Sequence, residues 1–217
     1  MVNDEQVIVA HRVNLDLMAG DLDHAVWDEV HAVSIVRYWS GEAAPLDRHA
    51  QARLVWSDAA LCVRFVCRQN EPLVVSDAPE TTTKTLGLWD RDVCEIYVAP
   101  DASAPERYFE FEAAPTGEWL DLAIHHARGR RETDWEYASG MSAAARIEAE
   151  WIKISMRIPF TAFGRMPQIG ERWRANLFRC IGRGEAHARG YLAWQPTYAA
   201  QPNFHVPQVF GWLEFGE

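Results

Sequence analysis

The stretch LGLWDRDVCEIYVAP, residues 86–100, joins a charged loop to a predicted strand. Side chains alternate between the two faces of a strand, so Glu95 and Tyr97 share one face and the apolar residues around them share the other. Trp89 stands in the loop among charged residues. A large ring in such a loop either caps the core or stacks on a flat ligand. The stretch therefore predicts a strand with an apolar inner face and a polar, aromatic outer face.

Similar runs recur along the chain and predict a β-rich fold. They are ARLVWSD, ALCVRFVCR, DVCEIYVAP, RYFEFEAAP, EWLDLAI, AARIEAE, WIKISMRIP, RWRANLFRCI, GYLAWQP and VFGWLEF, with an early strand within residues 30–38. Helical turns are expected only at LDHAVWDEV and PFTAFGRM. Closely spaced strands without long helical crossovers favour an all-β, antiparallel β-sandwich of jelly-roll or immunoglobulin-like two-sheet architecture.

Composition limits the partners and the domain count. The chain has 217 residues and a formal net charge of −10, which argues against nucleic acid and anionic membranes as partners. No linker divides it, so residues 1–217 are expected to form a single domain. No signal peptide or spanning segment is evident, which predicts a cytoplasmic location as written, or a periplasmic or secreted one if a leader was removed. The oligomeric state is not predicted.

Motifs for metal or nucleophilic chemistry are absent from the sequence. The four cysteines, Cys62, Cys67, Cys94 and Cys180, lie in apolar runs without zinc spacing and are expected to be buried free thiols. The histidines show no zinc-binding spacing, and no serine lies in a nucleophile elbow. We therefore expect no catalytic residue and no metal ligand.

Glu110 and Glu112 lie two residues apart, which places both carboxyl groups on one face of the predicted strand. Such a face is either a ligand platform or simply solvated. A pair of carboxylates can also serve a retaining glycosidase as nucleophile and acid. A glycoside hydrolase or lyase using these glutamates, or Glu95, is therefore the alternative to a binding protein.

The C-terminal segment GYLAWQPTYAAQPNFHVPQVFGWLEF contains a strand ending at Trp194 and a loop that carries Phe204 beside His205. Two loop aromatics, Trp89 and Phe204, could hold a pyranose ring between them. Stacking would bury the apolar C–H faces, and nearby Glu, Arg, Asn and His side chains would bond the hydroxyl groups at the ring edge. For each ring, capping one end of the core is the structural alternative.

Taken in order, these segments resemble carbohydrate-binding module family 9 and its DOMON-like β-sandwich relatives. The motif W-x-x-D-x-C-E-I-Y begins at Trp89, and the ending W–F–H-x-P-x-x-F-G-x-L-x-F is similar to the family's closing segment. The resemblance implies that Trp89 is one clamp ring and Glu95 a carboxylate that bonds sugar hydroxyls. The second clamp ring falls on Phe204, where the family usually has Trp.

The resemblance further implies that Arg179 and Glu110 occupy positions from which polar ligand contacts come. The candidate substrate-binding residues are thus Trp89, Glu95, Glu110, Glu112, Arg179, Trp194, Phe204 and His205. No cofactor is expected; calcium sites occur in that family, but their ligands are not mapped onto this chain. The leading hypothesis is a non-catalytic protein that binds a mono- or oligosaccharide, with the hydrolase or lyase and a haem-binding DOMON module as alternatives.

Overall fold

The computed structural model describes residues 7–127, 129–185 and 187–217, and this part of the chain is nearly all-β. Its fourteen strands are β1 (Val7–Arg12), β2 (Val33–Ile35), β3 (Arg37–Tyr38), β4 (Ala50–Trp56), β5 (Ala60–Arg68), β6 (Val93–Ala99), β7 (Arg107–Ala113), β8 (Trp119–Ala127), β9 (Arg130–Asp134), β10 (Ser142–Ile147), β11 (Trp151–Pro159), β12 (Arg172–Ile181), β13 (Gly190–Ala193) and β14 (Gly211–Phe215). The described helical elements are α1 (Val26–Glu29) and the 3-10 turns Leu46–Arg48, Leu88–Asp90, Phe160–Phe163 and Pro207–Val209.

The predicted strands and both predicted helical turns are confirmed, with ends that differ by a few residues. Two strands escaped prediction. β1, with the sequence VIVAHR, contains only a short apolar run, and β9, with the sequence RRETD, has no apolar face to reveal it.

The strands join into one mixed sheet in the order β10-β11-β5-β4-β1-β14-β12-β6-β7-β8-β9, with β2, β3 and β13 attached at its sides. The expectation of purely antiparallel pairing needs correction at β1. Residues Val7–Ala10 pair in parallel with β14, and His11 and Arg12 pair in parallel with β4. The other ladders between described strands are antiparallel. β1 thus divides the sheet into two halves. We call β14, β12, β6, β7, β8 and β9 the site half, because a pocket opens on it, and β10, β11, β5 and β4 the opposing half.

The sheet curls so that these two halves meet. β5 and β6 are five steps apart in the strand order, which in a flat sheet would separate them by about 24 Å at the usual strand spacing. Yet the Sγ atoms of Cys67 on β5 and Cys94 on β6 lie 3.4 Å apart. Both are buried free thiols, as are Cys62 and Cys180, which confirms the prediction for all four.

The main core lies between the two halves and contains interlocked aromatic rings. Trp173 on β12 is fully buried and contacts Phe160, Phe163 and Phe215 edge-on, with centroid separations of 4.7–6.2 Å. Edge-to-face contacts of this kind add to the free energy gained by apolar burial. Core packing therefore occupies the inner face of the site half, and the outer face remains available for a ligand site. No helix in the described residues is long and apolar enough to cross a membrane.

Candidate functional site

A pocket of about 320 Å³ opens on the outer face of the site half. Side chains from β6, β7, β8 and β12 form its floor, and the loops before β6, β10, β13 and β14 form its walls. Its lining contains Trp89, Asp90, Glu95, Tyr97, Glu110, Leu122, Ile124, Arg131, Thr133, Trp135, Cys180, Arg189, Tyr191, Pro202, Asn203, Phe204 and His205. Five of the residues predicted for the site, namely Trp89, Glu95, Glu110, Phe204 and His205, are therefore brought together.

Trp89 is presented by a short turn that is anchored on both sides. Gly87 has φ 79°, a left-handed conformation that glycine adopts without steric cost, and it starts the turn. Leu88 is fully buried, so the indole of Trp89, 36% exposed, projects toward the pocket. Arg189 donates hydrogen bonds to the backbone carbonyls of Trp89 and Arg91, which ties the turn to the loop before β13.

Trp135 follows β9, and its ring contacts that of Trp89 in the pocket lining. Their ring centroids lie 6.2 Å apart at an interplanar angle of 48°. A sugar ring stacked between two aromatic planes needs a separation of about 7–8 Å, twice the usual carbon contact distance. The two indoles, which are already in contact, therefore form a joint platform. Lys84 secures the segment by donating to the backbone carbonyls of Trp135 and Tyr137 while it pairs with Asp121 at 2.7 Å.

The floor of the pocket holds three buried carboxyl groups. Glu95 on β6 is opposite Glu112 on β7, and Glu110 is opposite Tyr97, so the glutamates share the outer face as the alternation predicted. One carboxylate oxygen from each of the three lies within 4.8 Å of the others. Glu95 and Glu110 line the pocket, and Glu112, with no exposed surface, lies beside them beneath the surface.

Burial disfavours the charged form of each glutamate, and their proximity adds to this effect. Desolvation and the charge of Glu110 raise the pKa of Glu95 to about 8. Desolvation also raises the pKa of Glu110, and desolvation with the charges of both neighbours raises that of Glu112 well above its usual value. Cys180 Sγ lies 3.4 Å from Glu95 Oε1.

Phe204 and His205 bring the loop before β14 into the pocket lining. The ring of Phe204 stacks on that of Phe178 at a centroid distance of 4.0 Å and is only 7% exposed, so it caps the outer face of β12 as well as lining the pocket. His205 Nδ1 lies 2.8 Å from the hydroxyl group of Tyr108 and 3.9 Å from Glu110 Oε2. Burial lowers the pKa of His205 to about 3, so the imidazole is neutral near pH 7.

Two predicted residues lie away from the pocket lining. Arg179 is opposite Cys94 in the ladder and therefore points to the inner face, where its guanidinium donates to the carbonyls of Arg48, His49 and Arg68 and to Gln69 Oε1. These acceptors flank β4 and β5, so Arg179 links the two halves of the sheet. Trp194 is partly buried and packs against the core.

Several lining residues were missed from the sequence, namely Tyr97, Arg131, Trp135, Arg189, Tyr191 and Asn203. Trp135 carried a usable signal, because it lies between Asp134 and Glu136, a charged setting like that of Trp89 before Asp90. Arg189 and Asn203 carried none, since nothing in their local sequence tells which strands their loops cover.

The glutamate cluster is the group of potential metal ligands found within the described residues. Calcium takes six to eight oxygen ligands at 2.3–2.6 Å. The pocket offers three carboxyl groups on one side, and aromatic rings line much of the rest of it. The donor set does not fit calcium, and no role is derived for that ion.

Fold and site together define a nearly all-β protein with an aromatic platform over buried carboxyl groups. The family model of carbohydrate-binding family 9 matches residues 22–215, so the chain belongs to that family. The resemblance inferred from the sequence is thereby confirmed. No curated protein matches the chain.

Solved structures share the fold at low sequence identity. A candidate carbohydrate-binding protein from Bacteroides uniformis has a TM-score of 0.75 and 16% identity, with 97% of this chain and 99% of that one covered. A family 9 carbohydrate-binding module from Caldicellulosiruptor kristjanssonii in complex with cellotriose has a TM-score of 0.64 and 14% identity, covering 97% and 93%. One from the same organism in complex with glucose has a TM-score of 0.59 and 16% identity, covering 97% and 96%.

Proposed function

We propose that the protein is a non-catalytic carbohydrate-binding protein that holds a mono- or oligosaccharide in the pocket between β6, β7 and the loops above them. The observation that carries this proposal is the pair of exposed, contacting indoles, Trp89 and Trp135, which line the same pocket as Glu95 and Glu110. Family membership and the saccharides bound by the Caldicellulosiruptor modules support it.

Each wall of the pocket has a part in this proposal. The indole platform would stack on the apolar C–H face of a pyranose, which removes apolar surface from water on both sides. Glu95 and Glu110 would bond hydroxyl groups at the inner edge of the sugar, and Asn203 and His205 those on the opposite side. Phe204, which the sequence suggested as the second clamp ring, would instead close the end of the pocket.

The architecture expected from the sequence is part of the proposal. Contacts between the two halves, at Cys67–Cys94 and at Arg179, support a two-sheet sandwich with the core between the sheets. The continuous core cluster, which draws on both halves, supports a single domain over residues 1–217.

Hydrolysis by the glutamates receives less support. A retaining glycosidase needs one ionised carboxylate as nucleophile beside a protonated acid. Glu112 does not line the pocket, and burial raises the pKa of all three carboxyl groups. The cluster is thus better suited to hydrogen bonding than to nucleophilic attack.

Calorimetric titration with a panel of mono- and oligosaccharides tests the proposal, using wild type, Trp89→Ala and Trp151→Ala. Trp151 lies on β11 in the opposing half, where its ring stacks on Arg68, so it is a matched control. We expect saturable binding with a Kd between about micromolar and millimolar, because ordering and desolvation offset part of the contact energy. Trp89→Ala should abolish it and Trp151→Ala should preserve it. A folded wild type that binds no member of the panel would overturn the proposal.

A further inference from the structure

The floor of the pocket combines three carboxyl groups, burial and missing partners in one place. Glu95, Glu110 and Glu112 are each at most 2% exposed. Four of their carboxyl oxygens, Glu95 Oε2, Glu110 Oε2 and both of Glu112, have no donor from outside the cluster, and Glu110 and Glu112 interact with each other. Buried polar atoms in folded proteins are normally paired, because an unpaired buried acceptor costs about 1–3 kcal/mol. A cationic donor on a ligand would bond these oxygens and favour loss of the protons that burial keeps on the carboxyl groups.

No basic side chain in the described part of the chain supplies that donor. Arg189 donates to the carbonyls of Trp89 and Arg91 through one nitrogen and lies over the ring of Tyr191, while its Nε has no partner. Its charge opposes the rise in the pKa of Glu95 and Glu112, but it forms no hydrogen bond with either. Arg131 is exposed at the rim. His205 is 3.9 Å from Glu110 and neutral near pH 7, as described above.

The other polar groups around the cluster do not neutralise it. Tyr97 and Cys180 come from the floor, and burial raises the pKa of both, so they remain uncharged near pH 7. Asp90 in the wall adds a further acid. The inner end of the pocket thus favours a ligand that brings its own positive charge.

We infer that the pocket selects a saccharide bearing a free primary ammonium group, with the ammonium on Glu95 and Glu110 and the sugar ring against Trp89 and Trp135. An ammonium group has three N–H donors and no acceptor, which matches a cluster of unpaired acceptors. The inference rests on the proposed function and narrows its ligand to an amino sugar.

The surroundings favour an organic cation over a bare metal ion. The volume of about 320 Å³ lies in the range of small-ligand pockets, far larger than one ion requires. The walls carry the rings of Trp89, Trp135, Tyr191 and Phe204, which offer stacking surface and the negative faces of π-systems. A cationic sugar uses both the rings and the carboxylates.

The test compares three probes of one ring skeleton by calorimetry near pH 7, namely glucosamine, glucose and N-acetylglucosamine. Glucosamine should bind at least tenfold more tightly than the two neutral sugars. Glu110→Gln should remove that preference, so that the glucosamine-to-glucose affinity ratio falls to within about twofold of one. Glu132→Gln makes the same change of charge on an exposed side chain outside this pocket, and it should leave the preference intact.

Each other outcome overturns the inference in a distinguishable way. Equal affinity for the three sugars would refute it and leave the proposed function standing. Failure of all three sugars, and of the wider panel, would refute both. Saturable calcium binding by the wild type that is lost in Glu110→Gln would assign the cluster to an ion instead. The glucosamine-to-glucose ratio of the wild type decides the matter even if a variant fails to fold.

Discussion

Glu95 and Glu112 lie directly opposite each other on β6 and β7, and both carboxyl groups are buried on the same face. Like charges in this cross-strand position destabilise a sheet, and burial adds to the cost. The folded protein therefore keeps protons on carboxyl groups that the unfolded chain would release. This arrangement makes the free energy of unfolding of the ligand-free protein depend on pH.

The first prediction is that the free energy of unfolding falls as the pH rises from 6.5 to 8. The pKa of Glu95 is about 8 in the folded protein and 4.5 in the absence of perturbation, so between these values the unfolded chain binds fewer protons. Stability then decreases with rising pH, by about 1.4 kcal/mol per pH unit for each such proton. His205 acts in the opposite direction only between pH 3 and 6.5, below the chosen window.

Urea unfolding at several pH values between 6.5 and 8 measures this slope. Glu112→Gln removes one carboxyl group whose pKa is raised in the folded protein, so its slope should be shallower and its stability at pH 8 higher than that of the wild type. A variant whose profile runs parallel to that of the wild type would show that the cluster is not the source.

The second prediction concerns the ring that the sequence did not single out. Trp135 is 44% exposed, so Trp135→Ala should change the free energy of unfolding by less than about 1 kcal/mol. It removes half of the indole platform and should weaken saccharide binding about tenfold, equivalent to about 1.4 kcal/mol. Calorimetry beside Trp151→Ala checks this. Unchanged affinity would restrict the platform to Trp89.

The third prediction separates Arg179 from the ligand site. Its guanidinium serves four acceptors that flank β4 and β5, and all would lose a charged donor in Arg179→Met. We expect destabilisation of about 3–5 kcal/mol, and only partial recovery in Arg179→Lys, which cannot reach all four. Saccharide affinity of the folded fraction should be unchanged. A loss of affinity at unchanged stability would instead return Arg179 to the site.

The fourth prediction concerns the core. Trp173 is fully buried among Phe160, Phe163 and Phe215. Trp173→Ala leaves a large cavity and should cost about 3–5 kcal/mol, whereas Trp173→Phe should cost less because part of the ring contact remains. Urea midpoints of the two variants give the comparison, and equal midpoints would contradict the packing described.

Local patterns in the sequence were enough to predict most of the strands and the glutamates at the floor of the site. The alternation in β6 and β7 assigned Glu95, Glu110 and Glu112 to one face, and the structure has them there. The same alternation puts Arg179 and Phe178 on opposite faces of β12. The binding role inferred for Arg179 from the family resemblance did not take this into account. Trp89 was found because a ring in a charged loop stands out.

Long-range contacts were not accessible in this way. Which loops meet over the floor depends on the order of strands in the sheet, and β1 joins β14 and β4 without any local sign of either partner. Arg189 reaches the turn of Trp89 across about a hundred residues of chain. The burial of Phe204 follows from its stack on Phe178, a contact that no spacing in the sequence encodes.

β1 pairs with β14 through its first four residues and with β4 through its last two, so six residues hold both halves of the sheet together. If this strand detached, β14 and β4 would each present a row of unpaired backbone groups. Exposed edges of that kind are templates for pairing with another chain. β1 therefore holds the two halves of the sheet together, and its release would promote strand exchange between copies of the protein instead of simple fraying at one end.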